Sequence, residues 1–595
     1  MDDELKAGVS GLFDAVHSGD EDAVVRVLRT GVPGDVCGED GQSALYVAAV
    51  GDEPAIVRLL LAAGADPDRL SGGTDLPLCG AACGGHAEVV RALLGAGARV
   101  DAVEEFGFRA LTWAVQRGHE RTVRALLDGG ADARLPGAGG ELPLVAAARR
   151  GSTGCVRALL EHGAPGRAEA LAEARRWLGV DVAEWLRAGL AESAVGGADR
   201  EAVTQRFPED GGVTVVVELL DEAGRPTSGN DQQTGHAAIA TLLEAELGIP
   251  TSPGELADRA VRRGDPDDDD WVEAMAVLRR RGDDATFRAA VAWCVDRDPL
   301  RRAFAADVLG QLGVPGPDGS YPFARRAFPS LRRMARGAEA GSGAVAAGDR
   351  VGLAARLGAS ADPAPGSTHG STHGLAHGST HGLAHGSTHG LAPAVPDWVE
   401  LRSVIGALGQ VNDPAAVPEV VRFAGHPHPE VRRAVALALR GSTGGIGGSG
   451  RKAITAGETG EGTRDGDGDG DTVTVATATA TATATAVNAL LTLTRDTDPD
   501  VRTWAAAALA GTGADTPQIR AALAALLGDP RDDVAAEAAR GLAVRQDPRA
   551  VDALAKLLAC TPPGDYARDV ALDGARALGD VRARNRLEWT FPRGS

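Results

Sequence analysis

Residues 76–101 read LPLCGAACGGHAEVVRALLGAGARVD. Pro77 to Cys83 has the composition of a short helix, Gly84-Gly85-His86 breaks it, and Glu88 to Leu94 carries Val89, Val90, Leu93 and Leu94 at helical spacing. Gly97 then closes the second helix, because glycine enters the left-handed conformation of a helix C-terminus without Cβ strain. Its equivalents are Gly31, Gly64, Gly130 and Gly163, each step 33 residues. A Val-Arg ladder at Val57-Arg58, Val90-Arg91, Val123-Arg124 and Val156-Arg157 keeps the same step. A fixed period of this length predicts a solenoid of helix pairs, in which no unit buries its own apolar face and the end units must be atypical.

The blocks VRLLLAAGADPD, VRALLGAGARVD and VRALLDGGADAR, with LPLCGAACGGHAEV and LPLVAAARRGSTGC before the last helices, resemble the ankyrin repeat. Leu12 to Val36 reads as an N-terminal cap. ALAEARRWLGVDVAEWLRAGL, residues 170–190, reads as a sixth helix pair with Trp177 and Trp185 closing the far end. The histidine of the family's T-P-L-H is replaced by Tyr46, Cys79, Thr112 and Val145. The resemblance implies that hairpin tips and the exposed face of the first helices hold protein partners. The corresponding positions are Tyr46, Arg69, Glu104, Glu105, Phe106, Phe108, Arg109 and Thr112, with Phe106 and Phe108 flanking Gly107 at a hairpin tip.

The chain is 595 residues long, too many for one core, so two arrays or several domains are expected. A formal charge of -21 argues against a nucleic-acid footprint and favours basic or apolar partner segments. Six scattered cysteines without a CxxC read as free thiols in a reducing cytosol. No basic, apolar leader and no run of 18 apolar residues occurs, so secretion and membrane spanning are unsupported and a cytoplasmic protein is expected.

The back half has its own punctuation: DRDPLRRAFAADVLGQLG from Asp296, HPHPEVRRAVALALRG from His426, DTDPDVRTWAAAALAGTG from Asp496 and GDPRDDVAAEAARGLA from Gly528. Asp-Pro before a helix is a start signal, with Asp as cap and Pro in the first turn. These phrases resemble short, Ala-rich HEAT repeats. Residues 416–431 and 486–501 align as two copies of one unit, and their separation of 70 residues, against 33 to the next, reveals an insert. The expected fold is all-α: two α-solenoids, ankyrin repeats followed by HEAT-like repeats, with low-complexity inserts. The expected division is an ankyrin array with capping helices at 1–195, a junction with a short strand or hairpin and helices at 196–281, and HEAT-like segments at 282–336, 397–440 and 486–595. Disordered inserts are expected at 337–396 and 441–485.

The tract at 367–392 sets six histidines, His369 to His389, four residues apart, but glycine at the same period opposes a helix that would align them, and a loop without a specific metal site is expected. Asp465, Asp467 and Asp469 open like a calcium loop, yet position twelve is Ala476, not a bidentate glutamate. The run Asp265 to Asp270 reads as helix capping and a solvated loop. No nucleophile elbow, phosphate loop, HExxH or dinucleotide fingerprint is present. The expectation is a non-enzymatic interaction scaffold or adaptor with protein partners, and no cofactor, metal, specific small molecule, nucleic acid or membrane. Short HEAT repeats are also similar to those of bilin lyases, which makes chromophore attachment the alternative. A HEAT-type nucleic-acid groove would need the recurrent Arg301, Arg302, Arg432, Arg433 and Arg502 to be free.

Overall fold

The computed structural model describes residues 2–105, 107–193, 201–209, 212–221, 223–316, 320–348, 397–411, 413–442, 469–562, 564–580, 584 and 587. The chain divides into two compact units, Met1–Val277 and Leu278–Ser595.

Unit one opens with five helix pairs: α1 (Asp2–His17) and α2 (Glu21–Arg29), α3 (Ala44–Val50) and α4 (Pro54–Ala62), α5 (Pro77–Gly84) and α6 (Ala87–Gly95), α7 (Ala110–Arg117) and α8 (Glu120–Asp128), α9 (Pro143–Arg150) and α10 (Thr153–Glu161). Gly31, Gly64, Gly97, Gly130 and Gly163 all have φ between 73 and 97°, the left-handed closure expected of them. Second helices bury branched side chains such as Ile56, Val57 and Leu60, then Val89, Val90 and Leu93. First helices present pairs of small residues, Ala48-Ala49, Ala81-Ala82 and Ala147-Ala148, so that consecutive first helices pack side by side. Between pairs the chain forms hairpins closed by one recurring bond: Gly38 to Gln42, Ser71 to Asp75, Glu104 to Phe108 and Gly137 to Glu141, each from N–H to carbonyl at 2.8–3.0 Å.

The sixth pair differs from expectation. α11 (Arg167–Arg176) stacks on α9 as a first helix should, but its partner is α13 (His236–Glu246), not α12 (Val182–Ser193). Ile239, Ala240 and Leu243 occupy the same core as Val89, Val90 and Leu93, and α13 packs on α10 and α11. The histidines give the same register: His86 Nε2 lies 3.1 Å from Val50 O, His119 Nε2 3.1 Å from Cys83 O, and His236 Nε2 3.1 Å from Arg149 O, each tying a second-helix start to the preceding first helix. Residues 177–235 are therefore an insertion between the two helices of one repeat. They form α12 and an antiparallel sheet in the order β1 (Ala202–Glu209), β2 (Gly212–Leu220), β3 (Pro226–Gln233), a three-stranded element where a strand or hairpin was expected. Val215 and Val217 of β2 pack on Val182, Ala183 and Leu186 of α12. Trp177 meets Trp185 edge-on at 4.7 Å and stacks on His236 at 4.7 Å, so it joins the insertion to the repeat and does not close the array.

α14 (Pro253–Ala260) and α15 (Asp269–Arg281) follow. The acidic run is a solvated loop only in its first half: Asp265 and Asp267 are exposed, but Asp268, Asp269 and Asp270 are buried. Arg157 of α10 donates to Asp269 at 2.7 Å and to Glu273 at 2.9 Å, and Asp270 Oδ1 accepts the Ala238 N–H at 2.7 Å, capping α13 from a distant helix. Burial pushes the Asp270 carboxyl up to about 6.

Unit two stacks six pairs: α16 (Asp284–Trp293) with α17 (Pro299–Gln311), α18 (Ala324–Gly348) with α19 (Asp397–Gln410), α20 (Ala416–Val421) with α21 (Pro429–Ser442), α22 (Asp469–Leu493) with α23 (Pro499–Gly511), α24 (Pro517–Leu526) with α25 (Asp532–Val544), and α26 (Arg549–Cys560) with α27 (Tyr566–Ala577). Asp298 and Asp498 cap α17 and α23 through their carboxylates, with Pro in the first turn. Each second helix packs on the next, and glycine sets the approach: a Cβ at Gly310 would lie 2.8 Å from Ala407 Cα, and one at Gly409 2.6 Å from Ala438 Cα. The two copied units bury equivalent positions, Val420 with Leu490 and Val431 with Val501.

Both stretches expected to be disordered inserts contain helix. α18 runs to Gly348, and the Ala-Thr run assigned to disorder is helical from Asp469 onward. Alanine has the highest helix propensity, the packed turns at 486–493 supply the nucleus, and Thr483 and Thr485 hydroxyls bond the carbonyls four residues back at 2.9 Å. The six-histidine tract, Asp465 and Asp467 lie outside the described residues.

Turn glycines divide into two classes. Nothing lies within 4 Å of a Cβ at Gly97 (φ +93°), whereas at Gly151 (φ +74°) it would meet the Gln233 carbonyl at 2.4 Å. Gly97→Ala should therefore cost about 1 kcal/mol of conformational strain, and Gly151→Ala at least twice that. Urea unfolding followed by circular dichroism checks the order; equal losses would mean that the insertion does not press on this turn.

Candidate functional site

The residues expected at a partner-facing surface are largely joints between neighbouring repeats. Tyr46 is half-buried against Gly80, and burial, followed by the Asp75 and Glu104 carboxylates, pushes its hydroxyl up to about 12. Glu104 is buried, accepts the Trp113 indole N–H at 2.6 Å, and has its carboxyl pushed up by desolvation. Phe108 stacks on Trp113 with ring centroids 4.6 Å apart, and with Thr112 it lines a hollow of about 130 Å³ under the next hairpin. Arg109 donates to Pro136 O at 2.8 Å, and Arg69 to the Asp35 carboxylate at 2.5 Å. Glu105 is exposed, and its N–H reaches Thr74 O at 3.3 Å. Phe106 lies outside the described residues. Glu104 thus corrects the surface expectation: its carboxylate is taken up by the cluster of Tyr46, Cys79 and Trp113.

What stands free is a row that sequence reading passed over. Leu70 is 45% exposed and Val103 48%, each directly before its hairpin, and exposed Pro136 follows at the same 33-residue step. The 33-residue spacing of these positions is visible in the sequence, whereas their exposure is a property of the folded hairpins.

In unit two the recurrent arginines have structural partners. Arg302, Arg432 and Arg502 each reach back to two carbonyls of their own turn: Asp296 and Arg297, His426 and Pro427, Asp496 and Thr497. Each also reaches forward to a carboxylate of the next pair, Glu400, Asp496 and Asp529 respectively. The side chains are largely buried, Arg432 13% and Asp496 9% exposed. This forked pairing, which only a planar guanidinium provides, fixes the register of successive repeats and removes these three arginines from any nucleic-acid groove. Arg301 lies over the Trp293 ring, and Arg433 pairs with Glu430.

Family models match these two halves: ankyrin repeats in three copies at residues 78–170, a further ankyrin repeat at 40–71, and HEAT repeats at 390–454 and 487–576. The chain is an ankyrin- and HEAT-repeat protein. The HEAT match is to the repeat in general and does not single out bilin lyases. Among curated proteins none matches the sequence. Both repeat types are generally protein-interaction modules. Among the described residues, no helix is long and apolar enough to cross a membrane, and no group of three or more His, Cys, Asp or Glu has metal-holding geometry.

A further concavity lies in unit one of this ankyrin–HEAT protein. A polar hollow of about 450 Å³ lies between the turns at 117–122 and 150–154 and the ends of β2 and β3. Gln233 crosses the Gly118 turn, the Gly235 N–H donates to Gly151 O at 2.9 Å, and the Arg150 guanidinium grips the Asp231 carboxylate. Its carboxylates are paired, Glu120 with Arg124, Asp231 with Arg150 and Asp269 with Arg157. The hollow is the seam where the insertion docks on repeats four and five. His236, next to Gly235 of its lining, is kept neutral, burial pushing it down to about 4.

The arginine ladder has a measurable signature. Desolvation raises the Asp496 carboxyl, but the Arg432 fork outweighs it, and the folded value lies below the usual one. A lowered folded value means that the pair's stabilisation is complete above the ordinary carboxylate range and is lost as pH falls through the folded value. Arg432→Met should therefore destabilise unit two by about 3 kcal/mol at pH 7, with a penalty that shrinks below about pH 4. Denaturant titrations at both pH values check this; a penalty independent of pH would rule out the ion pair as its source.

Proposed function

We propose that the protein is an interaction scaffold whose ankyrin half holds a partner protein along its hairpin edge. The observation that carries the proposal is the row of Leu70, Val103 and Pro136. Three apolar side chains stand at equivalent places on consecutive hairpins, where the repeat does not need them for its own core. An aligned exposed apolar row rimmed by polar residues is the usual mark of a binding surface. Behind it, the Arg69–Asp35, Glu105–Thr74 and Arg109–Pro136 bonds hold adjacent hairpins in one pose, so the surface is presented without an ordering cost on binding. The sequence-selected residues thus support the surface and the row between them contacts the partner. The HEAT half supplies a second surface on the same chain, which is what an adaptor requires.

Leu70→Asp with Val103→Asp tests the assignment. Neither side chain is part of the unit-one core, so circular dichroism and the unfolding midpoint should stay unchanged. Capture of partners from a lysate, compared protein by protein with the wild type, should fall about tenfold or more for those held by unit one. An identical capture profile would rule out this edge as the binding surface.

A further inference from the structure

In a chain of net charge -21, the first part of α18 is an island of the opposite sign: residues 324–337, ARRAFPSLRRMARG, hold five arginines and no acid. The buried side of this stretch is Ala324, Ala327, Leu331, Met334 and Ala335. At about 100° per residue, Arg325, Arg332 and Arg336 fall within about 40° of one another on one flank of the exposed side, and Arg326 and Arg333 share the other. All five side chains are exposed.

The neighbouring first helices do not neutralise them. Glu419 of α20 is the acid that faces α18 on one side, and it already takes three guanidiniums: Arg332 at 2.7 Å, Arg336 at 2.6 Å and Arg422 at 2.9 Å. Three positive charges on one carboxylate leave an excess, and its lone pairs are used up. On the other side Asp284 of α16 pairs with Arg326 at 2.7 Å, whose guanidinium also lies 4.3 Å from the Phe287 ring centre. Arg325 and Arg333 make no hydrogen bond or ion pair among the described residues. Three paired guanidiniums and two unengaged ones therefore form one ridge along the exposed side of α18, about 16 Å long from Arg325 to Arg336.

We propose that this ridge is a docking surface for an acidic peptide segment of a partner protein. An extended strand advances about 3.3 Å per residue, so about six residues span the ridge, and carboxylates on alternate residues recur about every 6.6 Å. That spacing lets a strand meet Arg325 and Arg333 while sharing the outer N–H groups of Arg332 and Arg336. A short acidic segment suits the ridge better than a long polyanion, because the negative charge of the rest of the molecule repels whatever extends beyond it. This is a different surface and an opposite partner charge from the apolar hairpin edge, and it stands or falls independently of it.

The test is fluorescence anisotropy of full-length protein with a labelled octaglutamate peptide at roughly 50 mM and 200 mM salt. Saturable binding is expected at the lower salt, weakening about tenfold at the higher. Arg325→Ala with Arg333→Ala should weaken it about tenfold with an unchanged unfolding midpoint, since neither residue supports the fold. Arg91→Ala, on unit one, should leave it unchanged. Absence of saturable binding, or equal affinity in the double variant, would overturn the proposal. So would tighter binding of a 20-nucleotide oligo-dT that is lost in the same variant, which would assign the ridge to nucleic acid.

Discussion

Everything in this molecule depends on backbones approaching closely enough for helix pairs to share a core. A pair of helices of about nine residues cannot bury its own apolar face, so each exists only against the next. In unit one the approach is permitted by alanine pairs on the first helices and by turn glycines that admit a neighbouring chain. In unit two the same work falls to Gly310 against Ala407 and Gly409 against Ala438. Register is then fixed by polar groups that cross from pair to pair: His86, His119 and His236 in the front half, Arg302, Arg432 and Arg502 in the back.

The repeats were legible because periodicity reports a stacking requirement directly. The glycine ladder predicted the left-handed closures residue by residue, and Asp-Pro predicted the caps of α17 and α23. The sixth repeat was not legible, for a physical reason: its helices are separated by 59 residues, from Trp177 to Gly235, and periodicity is a property of sequence distance, whereas core sharing is a property of space. The remaining signal was Gly235-His236 followed by Ile239, Ala240 and Leu243, the pattern of Gly85-His86 with Val89, Val90 and Leu93. The Ala-Thr run misled in the other direction. Low complexity suggested disorder, but alanine beside an already packed helix extends that helix.

The candidate surface was half visible. Family resemblance pointed to the hairpins, and the structure distributes their residues by chemistry. Arg69 and Arg109 bond to the neighbouring hairpins at Asp35 and Pro136, and Glu104 and Phe108 close on Trp113, while Leu70 and Val103 lie outside the core and remain exposed. Charge is distributed as unevenly. Arg302, Arg432 and Arg502 are each matched with an acid on the next repeat, whereas on α18 Arg332 and Arg336 share Glu419 with Arg422.

The split sixth repeat joins the insertion to the ankyrin core of unit one, and native-state hydrogen exchange tests it directly. If α13 completes the repeat, the amides of Ile239 to Leu243 should open together with those of Val156 to Leu159 in α10, at a free energy above that of β1 to β3. Exchange of the α13 amides in step with the sheet and α12 would contradict it, and would make the insertion a separate domain that begins where the fifth repeat ends.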